Sequence, residues 1–402
     1  MQTYVRLLVL KHRYGWGYET LMREVSDSLH LRRFCRIPLH ERVPDESTVR
    51  KLTRRLGPET VAELSRAVIA KAQRETRFHA RAVRIDSTVV EADVRYPTDA
   101  GLAGDGVRTL AREGRRLRAR LSGTELRVRD RSRAVGTRVR AIGRSLRRRT
   151  GEAKGGGART DRTNGEAACR LGQRGADARR RGAQAGAGRR GADGAGRPPG
   201  CWRRRSGWGK LAGRAEKVVG QISKRLAGEP ISDRLVSIFD PDARPIRKGK
   251  LGKPTEFGYV EQLAELTPNT KRGARGFLLP PSSAPGNPGE NELLPQTVAE
   301  LERLRLSPRE VALDGGFQTK ATAEALAPLS PERVFIAGRA APGSRRTQRR
   351  LARYRVGAEG RISHLKRRHG LRRSRLKGRE GERSWTGWAV FAYNVHTYGQ
   401  YA

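Results

Sequence analysis

The chain has 402 residues, enough for two or three domains with a proper core, and its 85 Lys+Arg against 41 Asp+Glu give a net charge of +44. Such a charge repels itself unless a polyanion offsets it; nucleic acid, whose phosphates release counterions on binding, is the first candidate, ahead of an anionic membrane surface. No run of about 18 or more apolar residues is present to span a bilayer, the first residues lack the parts of a signal peptide, and three scattered cysteines (Cys35, Cys169, Cys201) make neither a metal finger nor a disulfide framework. A cytosolic chain acting on DNA or RNA is the expectation.

Residues 1–76 read as helical. Val5, Leu8 and Val9 form one apolar stripe, and Tyr18, Leu21, Met22 and Val25 another. Ser47 is the expected N-cap of a short basic helix that ends at Gly57-Pro58. Its Arg50 and Arg54 are candidate DNA contacts if that helix enters a major groove; a bundle with a solvated basic face fits equally well. A further helix runs from about residue 59 to 74. At 80–93 the period changes, and Ala82-Val83-Arg84-Ile85-Asp86-Ser87-Thr88-Val89-Val90-Glu91-Ala92 reads as a strand. An Arg-rich helical pattern follows over about 107–154. Residues 155–208 hold neither helical nor strand period. They are rich in Arg, Gly and Ala, yet carry two of the cysteines and two tryptophans, which a solvated linker seldom does. This tract reads as a frame-shifted stretch of a GC-rich gene. The other two frames of the DNA test that reading, and it fails if neither gives an amphipathic helix. It also lowers the weight of +44 as an index of function.

From Leu235 strand patterns return. Leu235–Asp240 and Phe257–Ala264 read as strands flanking a basic hairpin tip that holds Lys248 and Lys250, both candidate DNA contacts. Then come a Pro-rich loop, a helix at 292–306, a strand at 310–313, a helix at 319–329, a strand at 334–337 and a helical region containing Glu359. The segments are thus 1–76 (an all-α domain), 77–100 (the first strand of an α/β domain), 101–228 (a basic helical insert) and 229–402 (the rest of that α/β domain).

Three acids stand out in this order. Asp86 lies within an apolar strand run, Asp314 ends another (Val311-Ala312-Leu313-Asp314) before Gly315-Gly316, and Glu359 sits on a helix. Phosphodiester cleavage needs an activated nucleophile and a stabilised leaving oxygen, which two divalent ions about 3.5–4 Å apart supply together. Magnesium takes oxygen ligands, so carboxylates from separate elements suit it. Arg355, four before Glu359, and Lys366, seven after it, are placed to grip phosphate beside such ions. Each acid alone also fits an ordinary role: strand end, turn, surface ion pair. Glu290 and Glu292 read as loop and helix-start residues.

The stretches Arg84–Ala92, Tyr96-Pro97-Thr98-Asp99, Phe239–Lys250 with Glu256–Tyr259, Gly286-Asn287-Pro288, Leu313–Phe317 and Glu359–Arg367, with Trp385 and Asn394 beyond, make the chain similar to the DDE transposases of bacterial insertion sequences. Arg33–Ile37 and Pro44–Val49 resemble the helical N-terminal domain of those enzymes. Their pattern Tyr-x2-Arg-x3-Glu-x6-Lys is kept at Arg355, Glu359 and Lys366, with Ala352 where the tyrosine would stand. The resemblance implies a ribonuclease H-like mixed sheet with flanking helices and a long helical insert after the first strand. It implies that Asp86, Asp314 and Glu359 are the catalytic, metal-binding acids for two Mg²⁺ ions, with Mn²⁺ as a substitute. It further implies cleavage at terminal inverted repeats and attack of the freed 3′-hydroxyl on double-stranded target DNA. A homo-oligomer at the bacterial nucleoid, with no membrane partner, would do this. The alternative is a catalytically dead, basic DNA-binding remnant of such an element.

Overall fold

The run Ala82–Ala92 forms the strand its β-branched residues predict, β1, and all eleven of its residues are buried or nearly so, as expected of a strand covered on both faces. It is the centre of a mixed sheet in a computed structural model that describes residues 1–119, 130–147, 200–247, 255–339 and 343–402. In chain order the remaining strands are β2 (Arg244–Arg247), β3 (Thr255–Thr267), β4 (Phe277–Leu278), β5 (Ser282–Ser283), β6 (Glu310–Leu313), β7 (Arg333–Ile336) and β8 (Arg373–Ser374). The main order is β2-β3-β1-β6-β7, with β4 and β5 also on β3 and β8 on β1. β3 runs antiparallel to β1, placing Glu265 opposite Arg84 and Leu263 opposite Asp86. β6 and β7 run parallel to β1, with Ile85 opposite Leu313 and Leu313 opposite Ile336.

Side chains alternate across a strand, and the core follows that alternation. Val83 and Ile85 join Val311 and Leu313 beneath Ile69, Leu294, Val298 and Phe317. On the other face Ala82 and Ala312 meet Leu351 and Tyr354, while Val90 and Leu263 meet Leu365, Ala389 and Tyr393. Asp86 shares the parity of Ala82 and Arg84, so it belongs to this second face.

The helices are α1 (Gln2–Tyr14), α2 (Tyr18–Asp27), α3 (Leu29–Cys35), α4 (Glu46–Glu75), α5 (Asp99–Arg118), α6 (Ser132–Arg147), α7 (Gly200–Leu226), α8 (Glu290–Arg303), α9 (Thr319–Leu326), α10 (Arg345–Arg368) and α11 (Gly378–Tyr401). The N-terminal stripes are buried together: Tyr4, Leu7, Leu8, Leu21, Val25, Val49 and Val61 share a core with Trp388 and Phe391 of α11. α4 breaks at Gly57, whose φ of 69° before Pro58 is open to glycine. Its N-cap is Asp45, which accepts the Ser47 N–H at 2.8 Å, and not Ser47 as expected; the helix begins at Glu46, so Ser47 already lies in its first turn.

Residues 1–93 and 242–402 make one compact unit and 94–241 another. Within the second, α5 and α7 bury Leu102, Val218 and Ile222 with Leu235 and Ile238. This corrects the strand expected over Leu235–Asp240. The Gln221 side chain takes both backbone groups of Leu235, and Ser237 Oγ accepts the amides of Phe239 and Asp240, leaving no ladder to form. Arg244–Arg247, expected in a hairpin tip, is the strand instead. It lies at the sheet edge, where Pro245 lacks an N–H without loss. Lys248 and Lys250 lie outside the described residues, as does the irregular tract up to residue 199. From Gly200 that tract is helical, contrary to expectation. The Arg-rich helix expected over 107–154 begins already at Asp99 and is two helices where described. Among the described residues no helix is long and apolar enough to cross a membrane.

Candidate metal centre

Ile85 and Leu313 are the last paired residues of two adjacent parallel strands, so Asp86 and Asp314 are the next residue on each. Neighbouring strands lie about 4.8 Å apart, which sets these carboxylates side by side. Asp86 is 7% exposed and its Oδ1 accepts the Ser87 amide at 2.8 Å. Asp314 begins the turn after β6, and its Oδ1 accepts the Gly315 amide at 2.7 Å. A third acid joins them: ligand oxygens of Asp86, Glu290 and Asp314 all lie within 4.8 Å of one another.

Glu290, expected in the loop before a helix starting at Glu292, is instead the first residue of α8. Glu292 does the capping, its Oε1 accepting the Gly289 amide at 3.1 Å, and Glu290 is left to face the aspartates. Two features hold it there. Asn291 Oδ1 accepts the Gln318 amide at 2.8 Å, tying the start of α8 to the loop after Asp314. Gly316 also leaves room: a Cβ at that position would stand 2.3 Å from Glu290 Oε2.

Glu359 is not in this close group. It is on α10 with its side chain 60% exposed, 3.0 Å from Arg355 Nη2. The same Nη2 is 3.1 Å from Asp314 Oδ1. Arg355 therefore pairs with Glu359, as the four-residue spacing suggested, and also reaches Asp314, which the spacing did not show. Lys366 is half-buried two turns further on. Arg50 is shared between Glu46 at 2.9 Å and the face of Tyr18, while Arg54 is exposed. Arg50 is one helical turn before Thr53, which is buried under the hydroxyls of Tyr4 and Tyr18, and Arg54 is the residue after it.

The donor set is carboxylate oxygen only, with neither imidazole nor thiolate in the group. That suits a hard divalent cation such as magnesium, manganese or calcium. Acids this close repel one another unless positive charge or a proton lies among them, and Arg355 supplies part of that charge beside Asp314.

Other quoted residues prove architectural. Asn394 is fully buried and exchanges two 2.8 Å hydrogen bonds with the backbone of Leu278, and Trp385 Nε1 donates to Gly370 O at 2.9 Å.

Two families match the chain. Residues 1–55 match the Transposase domain (DUF772) and residues 277–395 the Transposase DDE domain. The second match spans Glu290, Asp314, Arg355, Glu359 and Lys366, and Asp86 lies before it. No curated protein and no solved structure gives a significant match. Transposases act on DNA, and DDE domains use divalent metal ions. A transposase domain match at its start, a DDE domain match near its end and the converging acids Asp86, Glu290 and Asp314 together support a DDE transposase of the insertion-sequence type.

Proposed function

We propose that this transposase cuts the ends of its element and joins the freed 3′-hydroxyls to target DNA, using Asp86, Asp314, Glu290 and Glu359 to hold divalent ions, normally Mg²⁺, with Mn²⁺ as a substitute. The observation that carries the reading is that Asp86 and Asp314 each follow the last register pair, Ile85 and Leu313, of adjacent parallel strands, with Glu290 within 4.8 Å of both. The strand order supports a ribonuclease H-like sheet. β3 is the antiparallel neighbour of β1, the short strands β4 and β5 lie on its outer edge, and β6 and β7 continue in parallel on the other side.

The bound ions would polarise the phosphate and lower the pKa of the attacking water or hydroxyl. The chain's residues do the rest. The carboxylates fix the ions' positions and leave open coordination for phosphate oxygens. Arg355 already spans Asp314 and Glu359 and is placed to bond a phosphate oxygen as the scissile group enters. Lys366, on the same helix, adds a point charge along the strand. Hydrolysis breaks the phosphodiester at the element's end and leaves a 3′-hydroxyl. That oxygen then attacks a target phosphate, displacing the target's own 3′-oxygen, so no high-energy cofactor is consumed. Arg50 and Arg54 of α4, together with Lys248 and Lys250, are assigned to the DNA backbone of terminal repeat or target. Two ends must be held together, which calls for a homo-oligomer, and the work is placed at the nucleoid of a bacterial cytoplasm.

The test is strand nicking of a duplex carrying the element's own terminal repeat. Wild-type chain should nick it with Mg²⁺ and stop with EDTA, and Asp86→Asn and Asp314→Asn should bind the duplex normally without nicking. A wild-type chain that binds this duplex but never nicks it in Mg²⁺ or Mn²⁺ leaves the remnant reading in its place.

A further inference from the structure

Beneath α10 lies a group of buried charges outside the metal-binding acids. Glu265 on β3 is 2% exposed and receives two arginines. Arg84 of β1 donates from Nε at 2.8 Å and Nη2 at 2.6 Å to its Oε2, and Arg361 of α10 donates from Nε at 2.9 Å to its Oε1. The Gly276 amide also donates to Oε1. One carboxylate facing two guanidiniums leaves surplus positive charge. It is taken up by backbone carbonyls, Tyr354 O at 3.0 Å and Ala274 O at 3.0 Å from Arg84, and by ring faces: Tyr354 lies 5.0 Å from Arg84 and Tyr393 4.9 Å from Arg361. Such a group is costly to desolvate and tolerates little rearrangement once assembled.

Its contacts fall at positions that define a register. α10 touches it at Tyr354, Gly357 and Arg361, one stripe of the helix. Gly357 admits Arg84, since a Cβ there would stand 1.9 Å from Arg84 Nη1. Arg355 and Glu359 flank that stripe. On β1, Arg84 precedes Asp86 by two and shares its face. One buried glutamate therefore fastens together the strand that carries Asp86 and the helix that carries Glu359.

We infer that Glu265 is a positioning residue: with Arg84 and Arg361 it fixes the rotation and height of α10 on the sheet, and so sets where Arg355 and Glu359 stand relative to Asp86 and Asp314. The inference rests on the reading of those acids as the cleavage site. Misplacing a catalytic group by about 1 Å can cost on the order of a hundredfold in rate, so the clamp acts on turnover and not on DNA binding.

The experiment compares full-length wild type, Glu265→Gln and Gly357→Ala. Nicking is measured across DNA and Mg²⁺ concentrations at a temperature where each is folded, and hydrogen exchange is followed through α8, α9 and α10. Glu265→Gln keeps the shape and weakens both ion pairs, while Gly357→Ala keeps Glu265 and forces α10 and the Arg84 guanidinium apart. Both should lower kcat on the order of tenfold to a hundredfold, leave KM for DNA unchanged, raise the half-saturating Mg²⁺ concentration and speed exchange in α10 selectively. A purely stabilising Glu265 would lower the melting temperature and leave kcat and Mg²⁺ dependence at wild-type values, and that result overturns the proposal. If Glu265→Gln does not fold, Gly357→Ala decides: wild-type kcat in it is equally fatal. If wild type itself does not nick, the cleavage reading fails by itself. Exchange then judges the clamp, which is supported by loosening confined to α10 and overturned by loosening spread equally over α8 and α9.

Discussion

Gly316→Ala isolates the part Glu290 plays. Gly316 has no left-handed backbone conformation, so alanine is not strained there, but its Cβ would stand 2.3 Å from Glu290 Oε2 and 2.9 Å from Cδ. Ordinary contact begins near 3.4 Å, so the carboxylate must retreat by about 1 Å. The moving part is the end of a side chain with free torsions. The expected loss of stability is therefore no more than the cost of an off-rotamer conformation, about 0.5–1.5 kcal/mol. The effect on chemistry is larger, because a displacement of that size can cost up to about a hundredfold, or about 2.7 kcal/mol of barrier. Single-turnover nicking in saturating Mg²⁺, with a urea melt as control, reads both. The cycle with Glu290→Ala separates mechanisms: with no carboxylate to push, adding Gly316→Ala to Glu290→Ala should change nothing further. A folded Gly316→Ala that nicks at the wild-type rate, or a double variant whose losses add, refutes the reasoning.

Two further outcomes test the framework around the site. Lys11 is buried between Trp385 and Tyr18, and burial, with Arg375 nearby, lowers its pKa from 10.5 to about 7. Between those values the unfolded chain binds the extra proton, so stability should rise as pH rises from about 7 to 10.5 and be lost as pH falls back towards 7. The amount is at most about 5 kcal/mol. Lys11→Met should be more stable than wild type at neutral pH and lack this slope in urea titrations, and an equal slope in both proteins contradicts the assignment. Asn394→Leu would strand the buried amide and carbonyl of Leu278, for a loss of roughly 2–4 kcal/mol. A change below about 1 kcal/mol in the same assay would mean those bonds are replaced by water.

The sequence was most legible where an acid interrupts an apolar run. Asp86 and Asp314 stand out because nothing about a buried strand favours a carboxylate, and the parallel pairing of their strands then brings them together. Arg355 and Glu359 were legible as a helical pair and are one. Glu290 was hidden by its neighbour: helix starts favour acids, so two acids at positions 290 and 292 look alike until Glu292 is seen to do the capping. The Glu265 clamp was hidden by distance, since its partners lie 181 and 96 residues away along the chain and only sheet register makes them neighbours. The segment from Leu235 misled because a short apolar run carries no record of whether a ladder partner exists. Here a glutamine side chain supplied the bonds instead.

The most direct test of the central claim is metal-specificity rescue at the two strand acids. Asp86→Cys and Asp314→Cys replace an oxygen ligand with sulfur, which magnesium binds poorly and manganese accepts more readily. If these carboxylates hold the ions, both variants should be inactive in strand nicking with Mg²⁺ and recover measurable activity with Mn²⁺, while Asp86→Ala stays inactive in both. Activity of the cysteine variants in Mg²⁺ equal to wild type would contradict the account, as would equal inactivity of the cysteine and alanine variants in Mn²⁺ while wild type nicks.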